Sequence, residues 1–232
     1  MRPMETRFAH REEAARLLAD ALVPLALVDP VVLALPRGGV PVGAVVARAL
    51  HAPLDLVLVR KIGAPGNPEL AVAATTNGPH PVLVTDEATM AATGATHEWV
   101  LQQQAAQLQE IERRRQRYLG GRGRVPLAGR TAVVVDDGIA TGTTARAALR
   151  AVRQCSPAAL VLAVPVAPPD VLRDLASLVD RVVCLSQPAW FHAVGAHYVS
   201  FPQVGDEEVV RLMKAAAPLA PASPAAAALR AG

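Results

Sequence analysis

The sequence has few cysteines and few aromatic residues, and both shortages limit what the protein can be. Cys155 and Cys184 are its two cysteines; they form no CxxC pair and have no histidine at ligand spacing. The chain therefore carries neither a zinc-finger pattern nor a disulfide framework, and we expect both cysteines to be small buried hydrophobic residues. Aromatic residues make up only 3% of the chain, so any local group of them stands out.

Long apolar runs are also missing. The longest, residues 158–167, includes Pro165 and is half of the ~20 residues that a membrane-spanning helix needs. The N-terminus mixes acidic and basic side chains, whereas a secretory signal peptide has an uncharged apolar centre. We therefore expect a soluble, cytoplasmic protein with no membrane partner.

The net charge is small, at +3, so the molecule as a whole is not built to attract polyanions. Hydrophobic residues account for 52% of the chain and charged residues for 19%, a balance that supports a folded core and excludes wholesale disorder. A single core usually stops growing near ~250 residues, so we expect one domain, over residues 1–213. The Ala/Pro-rich remainder, residues 214–232, has no periodicity and is expected to be disordered.

Short apolar runs rich in β-branched residues alternate with helical patterns. Because these runs are apolar on both faces, they predict parallel strands covered by helices, and hence a doubly wound α/β fold. The predicted strands are residues 31–35, 54–59, 81–85, 131–137, 159–166 and 181–185, and the helices between them are residues 40–50, 143–154 and 168–178.

Two helical segments lie outside this alternation. The first, with apolar residues from Phe8 to Leu22, precedes the core and ends near Pro24. The second, about residues 96–120, is long and polar, and we interpret it as an insertion that packs through one face. Its predicted apolar stripe consists of Leu101, Leu108, Ile111 and Tyr118.

The segment from Thr131 to Leu149 combines a buried strand, two acids, a Gly/Thr-rich turn and a helix. Glycines in the turn let backbone N–H groups approach a ligand, and hydroxyl groups at the helix start add donors, which together favour a monophosphate. Asp136 and Asp137, at the carboxyl end of the strand, are placed to accept hydrogen bonds from a neighbouring diol. The turn residues with these expected contacts are Gly138, Ile139, Ala140, Thr141, Gly142, Thr143 and Thr144.

Simpler and competing explanations of this segment are less satisfactory. An ordinary strand–turn–helix would explain an isolated Gly/Thr turn, but burying two adjacent acids without a ligand or cation is costly. A nucleotide P-loop is excluded because Thr143, and no lysine, follows Gly142. The GxG at residues 121–123 precedes a strand and so is no dinucleotide fingerprint, and no serine lies in a G-x-S-x-G turn, which excludes an α/β hydrolase.

The run VVVDDGIATGTT, residues 133–144, resembles the phosphoribosyl pyrophosphate motif of the type I phosphoribosyltransferases. The resemblance covers about residues 31–210. It implies a core of five parallel strands, here about residues 30–185, and a small hood built from residues 1–29 and 186–213. It also implies a reaction in which a nitrogen nucleophile replaces the pyrophosphate of phosphoribosyl pyrophosphate. Mg²⁺ would bridge the pyrophosphate and the ribose hydroxyls, and Asp136 and Asp137 would contact the ion indirectly, through water or the ligand.

The resemblance also assigns roles near two other predicted strands. Arg37, Gly38 and Gly39 correspond to the family's pyrophosphate-binding loop, although a glycine turn with a surface arginine would look the same. Arg60 and Lys61 precede a Gly/Pro/Asn-rich stretch, residues 63–68, that corresponds to the family's mobile loop. Positive charge at Arg37, Arg60 and Lys61 would neutralise the leaving pyrophosphate, and no general base is identifiable.

The acceptor is left open. Four of the seven aromatic residues fall within residues 190–201, the expected hood, and we expect Trp190 and Phe191 to cover a planar base while Tyr198 and Phe201 pack the hood onto the core. Family members that use 6-oxopurines have an acid where this chain has Ala140, which argues against hypoxanthine and guanine. The motif is closer to that of the adenine enzymes, but the hood is not.

A second hypothesis comes from regulators that share this fold, sense nucleotides and bind RNA. It rests on an arginine cluster, Arg113, Arg114, Arg115, Arg117, Arg122, Arg124 and Arg130. Such a run is more often a solvated helix face, here partly balanced by Glu110 and Glu112. We therefore expect a homodimeric enzyme whose partners are phosphoribosyl pyrophosphate and a small acceptor, and we do not expect nucleic acid.

Overall fold

A computed structural model describes residues 7–76 and 81–216 of the chain. In chain order the elements are α1 (Arg11–Leu22), β1 (Pro30–Ala34), α2 (Gly39–Ala49), β2 (Leu54–Leu56), β3 (Val59–Ala64), β4 (Asn67–Thr76), β5 (Leu83–Thr85), α3 (Glu87–Thr93), α4 (His97–Leu119), β6 (Thr131–Val135), α5 (Thr143–Gln154), β7 (Ala159–Val166), α6 (Pro169–Ala176), β8 (Arg181–Ser186) and α7 (Asp206–Ala215).

Five strands form a parallel sheet in the order β2–β1–β6–β7–β8. All five residues of β6 are buried, because one face of the sheet packs against α1, α2 and α7 and the other against α5 and α6. Val133 belongs to the first of these two cores and Val134 to the second. The doubly wound α/β fold predicted from the apolar runs is confirmed.

The order of the strands creates a crevice. β1 continues through α2 to β2 at one edge of the sheet, whereas its neighbour β6 continues through α5 to β7 on the other side. The two connections therefore diverge from the carboxyl ends of β1 and β6. In open α/β sheets this is the place where ligands bind.

β3, β4 and β5 form a separate antiparallel sheet. The predicted strand over residues 54–59 is divided, since β2 ends at Leu56 and β3 begins at Val59. The predicted strand over residues 81–85 exists as β5, but it pairs with β4 outside the parallel core. Its Val84 packs against Ala147 of α5, so the run is as apolar as a core strand.

Residues 63–68, expected to form a loop, are mostly strand. β3 and β4 make a hairpin that turns at Pro65 and Gly66, where Gly66 has φ +74°. A β-bulge occurs at Gly63, and a Cβ there would lie 2.4 Å from Pro68. The hairpin turn and the bulge therefore explain why residues 63–68 are rich in glycine and proline. Whether the hairpin closes over a ligand stays a prediction.

The long helix α4 is present as predicted, but its buried stripe differs at one end. Leu101 is 59% exposed, and Val100 is buried in its place. The stripe runs through Val100, Ile111, Arg115 and Tyr118. From the same face Gln104 bonds Thr75 and Gln107 bonds Arg60. Because several inward positions are polar or charged, the apolar pattern alone gave the wrong register at Leu101.

The two terminal segments meet beside the core. Phe8 pairs with Tyr198, and the Phe8 N–H donates to the carbonyl of His197 at 2.9 Å. The first residues of the expected tail, through Ala215, belong to α7, and residues 217–232 lie outside the described residues. The domain limits and the hood stay predictions. No helix in residues 7–76 and 81–216 is both long and apolar enough to cross a membrane.

Candidate functional site

Two loops meet at the crevice between β1 and β6. Residues 35–38 follow β1, and residues 136–142 follow β6. The Leu35 N–H donates to the carbonyl of Val135 at 3.0 Å, which extends the pairing of the two strands to the start of both loops. Most of the side chains selected from the sequence are therefore brought to one edge of the sheet.

Asp136 and Asp137 lie directly beyond β6 and are tightly packed. Asp137 is 8% exposed, and its N–H donates to Oδ1 of Asp136 at 2.9 Å. Burial, and then the charge of Asp137, raise the pKa of Asp136 well above its usual range. Burial also raises the pKa of Asp137, although hydrogen bonding to Arg11 opposes the change. The pair is short of compensating positive charge, which is what a cation or hydroxyl groups could supply.

Gly38 and Gly39 pack directly against these carboxylates. A Cβ on Gly38 would lie 2.0 Å from Oδ2 of Asp137, and one on Gly39 would lie 2.8 Å from the carbonyl of Val135. No other residue type fits without displacing the acids or the strand. The glycines after β1 thus allow this loop to lie against the acids after β6.

Arg37 belongs to the same loop, and its peptide bond with Pro36 is cis. Its Nη1 lies 3.5 Å from Oδ1 of Asp206 in α7. Asp206 also accepts a hydrogen bond of 2.7 Å from the Tyr118 hydroxyl, and its Oδ2 pairs with Arg117 at 2.6 Å. Arg37 is therefore held by a carboxylate that contacts two residues of α4.

A cavity of about 390 Å³ opens between these loops and the C-terminal segment. We call it the crevice cavity. Its walls combine two cationic side chains, one carboxylate and a phenyl ring with apolar and amide groups, and the lining residues are Arg11, Arg37, Gly38, Asp137, Val194, Phe201, Gln203 and Val204.

Arg11 is a site residue that sequence reasoning missed. Its Nε lies 2.6 Å from Oδ2 of Asp137, its Nη1 donates to the carbonyl of Pro202 at 2.7 Å, and its guanidinium lies 3.6 Å from the centre of the Phe201 ring. In the sequence it is one charge among several in an amphipathic helix. No local signal links it to an acid 126 positions away.

The Gly/Thr-rich turn leads from the acids into α5. Ile139 is buried and its N–H donates to the carbonyl of Val166 at 2.9 Å, whereas Ala140 and Thr141 are exposed. Gly142 has φ +76°, a conformation that favours glycine, and a Cβ there would lie 2.7 Å from Val171.

The helix α5 begins at Thr143, and its first interior bond runs from the Arg146 N–H to the carbonyl of Gly142 at 2.8 Å. The N–H groups at the first three helical positions point out of the helix and suit an anion. The Thr141 and Thr143 hydroxyls are 3.4 Å apart beside them. Thr144 is the second residue of α5. The turn and the start of α5 thus bring these N–H groups and hydroxyls together, and their binding of a phosphate stays a prediction.

Arg60 and Lys61, adjacent in β3, face opposite ways. Arg60 Nε donates to Gln107 of α4 at 3.1 Å. Burial and the neighbouring charge of Arg114 lower the pKa of Arg60. Lys61 is exposed and pairs in register with Ala74, which packs on α5. Neither side chain lines the crevice cavity, so the structure does not gather all three expected cations at one point.

The aromatic residues near the site also differ from expectation. Phe201 lines the crevice cavity, and the Tyr198 hydroxyl donates to the carbonyl of Asp137 at 2.6 Å. Trp190 is 79% exposed, and Phe191 stacks on His197 with ring centres 4.9 Å apart. The structure does not bring Trp190 or Phe191 into the cavity, and a base-covering role for them stays a prediction.

Comparisons with known proteins agree with these observations. A family model described as a phosphoribosyl transferase domain matches residues 10–200. Two Mycobacterium tuberculosis proteins, from strains CDC 1551 and H37Rv, are each 46% identical over 206 residues, and their names assign them provisionally to the phosphoribosyl transferases. The match covers 89% of this chain and 46% of each relative, so the chain spans about half their length.

A solved structure is also similar over most of the chain. The crystal structure of the Thermus thermophilus protein TT1426 shares 44% sequence identity, with a TM-score of 0.77. The match covers 92% of this chain and 100% of that one. The fold described above is therefore also found in a protein solved by crystallography.

Proposed function

Because this chain belongs to the phosphoribosyl transferase domain family, we propose that it transfers a 5-phosphoribosyl group from phosphoribosyl pyrophosphate to a nitrogen nucleophile, a nucleobase being the expected class, and releases pyrophosphate. The observation that carries the proposal is the placement of Asp136 and Asp137 between the Gly38–Gly39 loop and the turn that starts α5. That crevice offers, side by side, contacts for a phosphate, a diol and a pyrophosphate.

In this proposal the 5-phosphate of the sugar binds at the Gly/Thr-rich turn that precedes α5. The 5-phosphate accepts hydrogen bonds from backbone N–H groups of residues 138–144 and from the threonine hydroxyls. The ribose hydroxyls donate to Asp136 and Asp137. Arg11, at 2.6 Å from Asp137, favours the ionised form of that carboxylate and so keeps it an acceptor.

The pyrophosphate lies over the loop after β1. Backbone N–H groups around Gly38 and Gly39 and the guanidinium of Arg37 bind it. Arg37 lies 3.5 Å from Asp206, a distance longer than a strong charge-assisted bond, so it can turn toward a more highly charged anion. Arg60 and Lys61 do not line the crevice cavity, so in this proposal they add positive charge to the pyrophosphate when the β3–β4 hairpin closes over it.

Residues in the crevice fit a hard divalent cation. Two adjacent carboxyl groups with raised pKa values form the centre of the site, and oxygen is the donor that Mg²⁺ prefers. No group of three metal-ligating side chains occurs in the described part of the chain. In this proposal Asp136 and Asp137 would hold the ion through water or ribose hydroxyls. When bound, Mg²⁺ would supply positive charge to the leaving pyrophosphate.

Chemistry at C1 of the ribose then depends on position and charge. The bond from C1 to the pyrophosphate oxygen breaks, positive charge develops on the ring, and the acceptor nitrogen forms the new bond. The chain contributes by orienting the ribose on the two carboxylates and by stabilising the leaving group with Arg37. We assign no general base. Phe201, which lines the crevice cavity, is a candidate surface for a planar acceptor alongside Trp190 and Phe191.

Thermal unfolding tests the donor substrate. Phosphoribosyl pyrophosphate with Mg²⁺ should raise the Tm by mass action, by an amount that grows with the logarithm of ligand concentration. The double variant Asp136→Asn/Asp137→Asn should lose this response. A full response in the folded double variant would contradict the site assignment.

A matched control uses an acid away from the crevice. Asp180 pairs with Arg153 at the far end of α5, so Asp180→Asn should leave the ligand-induced shift in Tm unchanged. Detection of pyrophosphate with a panel of nucleobases then identifies the acceptor. Turnover with hypoxanthine or guanine would contradict the expectation drawn from Ala140.

A further inference from the structure

A second cavity of about 470 Å³ lies away from the crevice. We call it the basal cavity. Its walls come from β1, β2, α4, the segment between α4 and β6, and the end of α5. They include Leu56, Arg115, Arg124, Leu127, Val152 and Cys155. Its volume is within the range of small-molecule sites, roughly 300–1,000 Å³.

The basal cavity and the proposed transferase site lie at opposite ends of α5. That helix begins at Thr143 beside the Gly/Thr-rich turn and ends at Gln154 in the basal cavity wall. Twelve helical residues extend over about 18 Å at ~1.5 Å per residue. The basal cavity is therefore not an extension of the crevice cavity, and neither the ribose contacts nor the pyrophosphate contacts use it.

Arg115 is a buried cation in the wall of this cavity. It is 8% exposed, and its Nη2 donates to the carbonyl of Arg122 at 2.8 Å. Its Nε is buried and has no hydrogen-bond partner among the described residues. A buried donor without an acceptor is costly, so the fold holds Arg115 at a cost in stability, and a negative charge near its guanidinium would offset part of that cost.

Charge at the cavity wall is positive. Arg124 is a second cation, and although much of its side chain is exposed, partial burial and the charge of Arg115 lower its pKa. Asp55 is the one acid in the wall, and its two carboxylate oxygens accept backbone N–H groups from Leu56 at 2.8 Å and Val125 at 2.9 Å. With two cations and one anion lining the cavity, a single negative charge would restore balance.

Apart from Gln154 and Ser156, the rest of the wall is apolar. Leu33, Val57, Val125, Pro126 and Ala151 line it together with the leucine and valine side chains named above. A ligand made only of charged groups, such as inorganic phosphate, would leave this surface without contacts. The wall instead matches a molecule with an apolar body and one acidic head.

We propose that the basal cavity binds a small amphipathic monocarboxylate, whose carboxylate pairs with Arg115 and Arg124 and whose hydrocarbon or aromatic body lies on the apolar wall. Guanidinium groups match a carboxylate in geometry and remain charged when partly buried. This proposal does not rest on the transferase activity.

Cys155 gives the proposal a local readout. Contrary to the expectation of a buried residue, it is partly exposed, and it lines the cavity. A bound ligand should therefore slow its alkylation by iodoacetamide, measured by peptide mass spectrometry of the full chain. Cys184 is the internal control, because it lies outside the cavity wall and burial raises its pKa to about 11. Octanoate should slow the reaction of Cys155, whereas the neutral octanamide and inorganic phosphate should leave it unchanged.

Two variants test the charge. Arg124→Gln should weaken octanoate protection about tenfold or more by removing a charge-assisted bond, with its folding checked by thermal melting. Arg150→Gln, on the exposed side of α5, should leave protection unchanged. The Asp136→Asn/Asp137→Asn variant should also keep full protection, which separates this proposal from the transferase proposal.

Three results would overturn the proposal. The first is that octanoate fails to protect Cys155. The second is that octanoate and octanamide protect it equally, and the third is that folded Arg124→Gln binds octanoate as tightly as the unsubstituted protein. The first removes the site, and the other two remove the role of charge.

Discussion

Asp136 and Asp137 illustrate how burial and charge compete at single carboxyl groups. The sequence predicted that two acids at the end of an apolar strand would be costly, and the raised pKa values express that cost. The ion pair with Arg11 offsets part of this cost for Asp137. Gly38 and Gly39 lie so close to the two acids that a larger residue at either position would displace them or the strand. The site thus holds its acids in an arrangement that favours ligand binding over stability of the free protein.

Replacing Asp136 with Asn should therefore stabilise the unliganded fold at neutral pH. The folded pKa is raised, so the contribution of Asp136 to stability is fully present below the unfolded pKa and is lost as pH rises through the folded pKa. The asparagine Oδ1 can still accept the Asp137 N–H. We expect Asp136→Asn to raise the Tm at pH 8 by a few degrees, at ~2–4 °C per kcal/mol, with the difference shrinking toward pH 4.

Asp180 should show the opposite trend. Hydrogen bonding from Arg153, and then from the Leu160 N–H, lowers its pKa, so its contribution is present above the unfolded pKa and is lost as pH falls through the folded pKa. Asp180→Asn should therefore lower the Tm at neutral pH. Melting curves in metal-free buffer measure both variants, and a lower Tm for Asp136→Asn at pH 8 would contradict the assigned cause.

At the scale of elements, α4 shows how a helix can be predicted while its packing is misjudged. Its length and its Ile111 and Tyr118 contacts agree with the predicted face, and Thr96 caps it by accepting the Trp99 N–H at 3.1 Å. The inward positions occupied by Gln104 and Gln107 are polar because they bond Thr75 and Arg60 of the antiparallel sheet. A pattern based on apolar residues alone cannot see such bonds.

This packing predicts unequal effects for two neighbouring residues. Val100→Ala should cost about 1–3 kcal/mol of unfolding free energy, since it removes buried methyl groups. Leu101→Ala, at a 59% exposed position, should stay within ~0.5 kcal/mol. Denaturant titration measures both, and a larger loss for Leu101→Ala would mean that the helix packs through the other face.

At the scale of the whole molecule, four of the seven arginines in the cluster form ion pairs with acidic side chains of the same chain. Arg113 and Arg114 pair with Glu110, Arg117 pairs with Asp206, and Arg130 pairs with Asp29. The pairing with both arginines lowers the pKa of Glu110 to about 2. Arginines that already pair with acids contribute less positive charge to a surface that could bind RNA, which argues against the RNA-binding alternative.

We accordingly expect no retardation of single-stranded or structured RNA in gel shifts at physiological salt. Binding at low salt that disappears as salt is raised would fit non-specific attraction to the net charge of +3. Retardation that persists at physiological salt and is lost in Arg113→Gln would instead favour the regulatory hypothesis. The homodimer and the cytoplasmic location stay predictions.

Local patterns were sufficient for the five strands of the parallel sheet, for helices α2, α5 and α6, and for the acid–turn–helix segment, because apolar periodicity and glycine-rich turns act over a few neighbouring residues. The doubly wound fold follows from the alternation of these strands and helices. Local patterns were insufficient for the antiparallel sheet, the inward face of α4 and the contact of Arg11 with Asp137. Those depend on which elements pack together, and the Arg11–Asp137 bond joins residues 126 positions apart. Burial of Arg115 in an apolar wall has the same origin, since a charge next to other charges in a helix gives no sign that folding will enclose it.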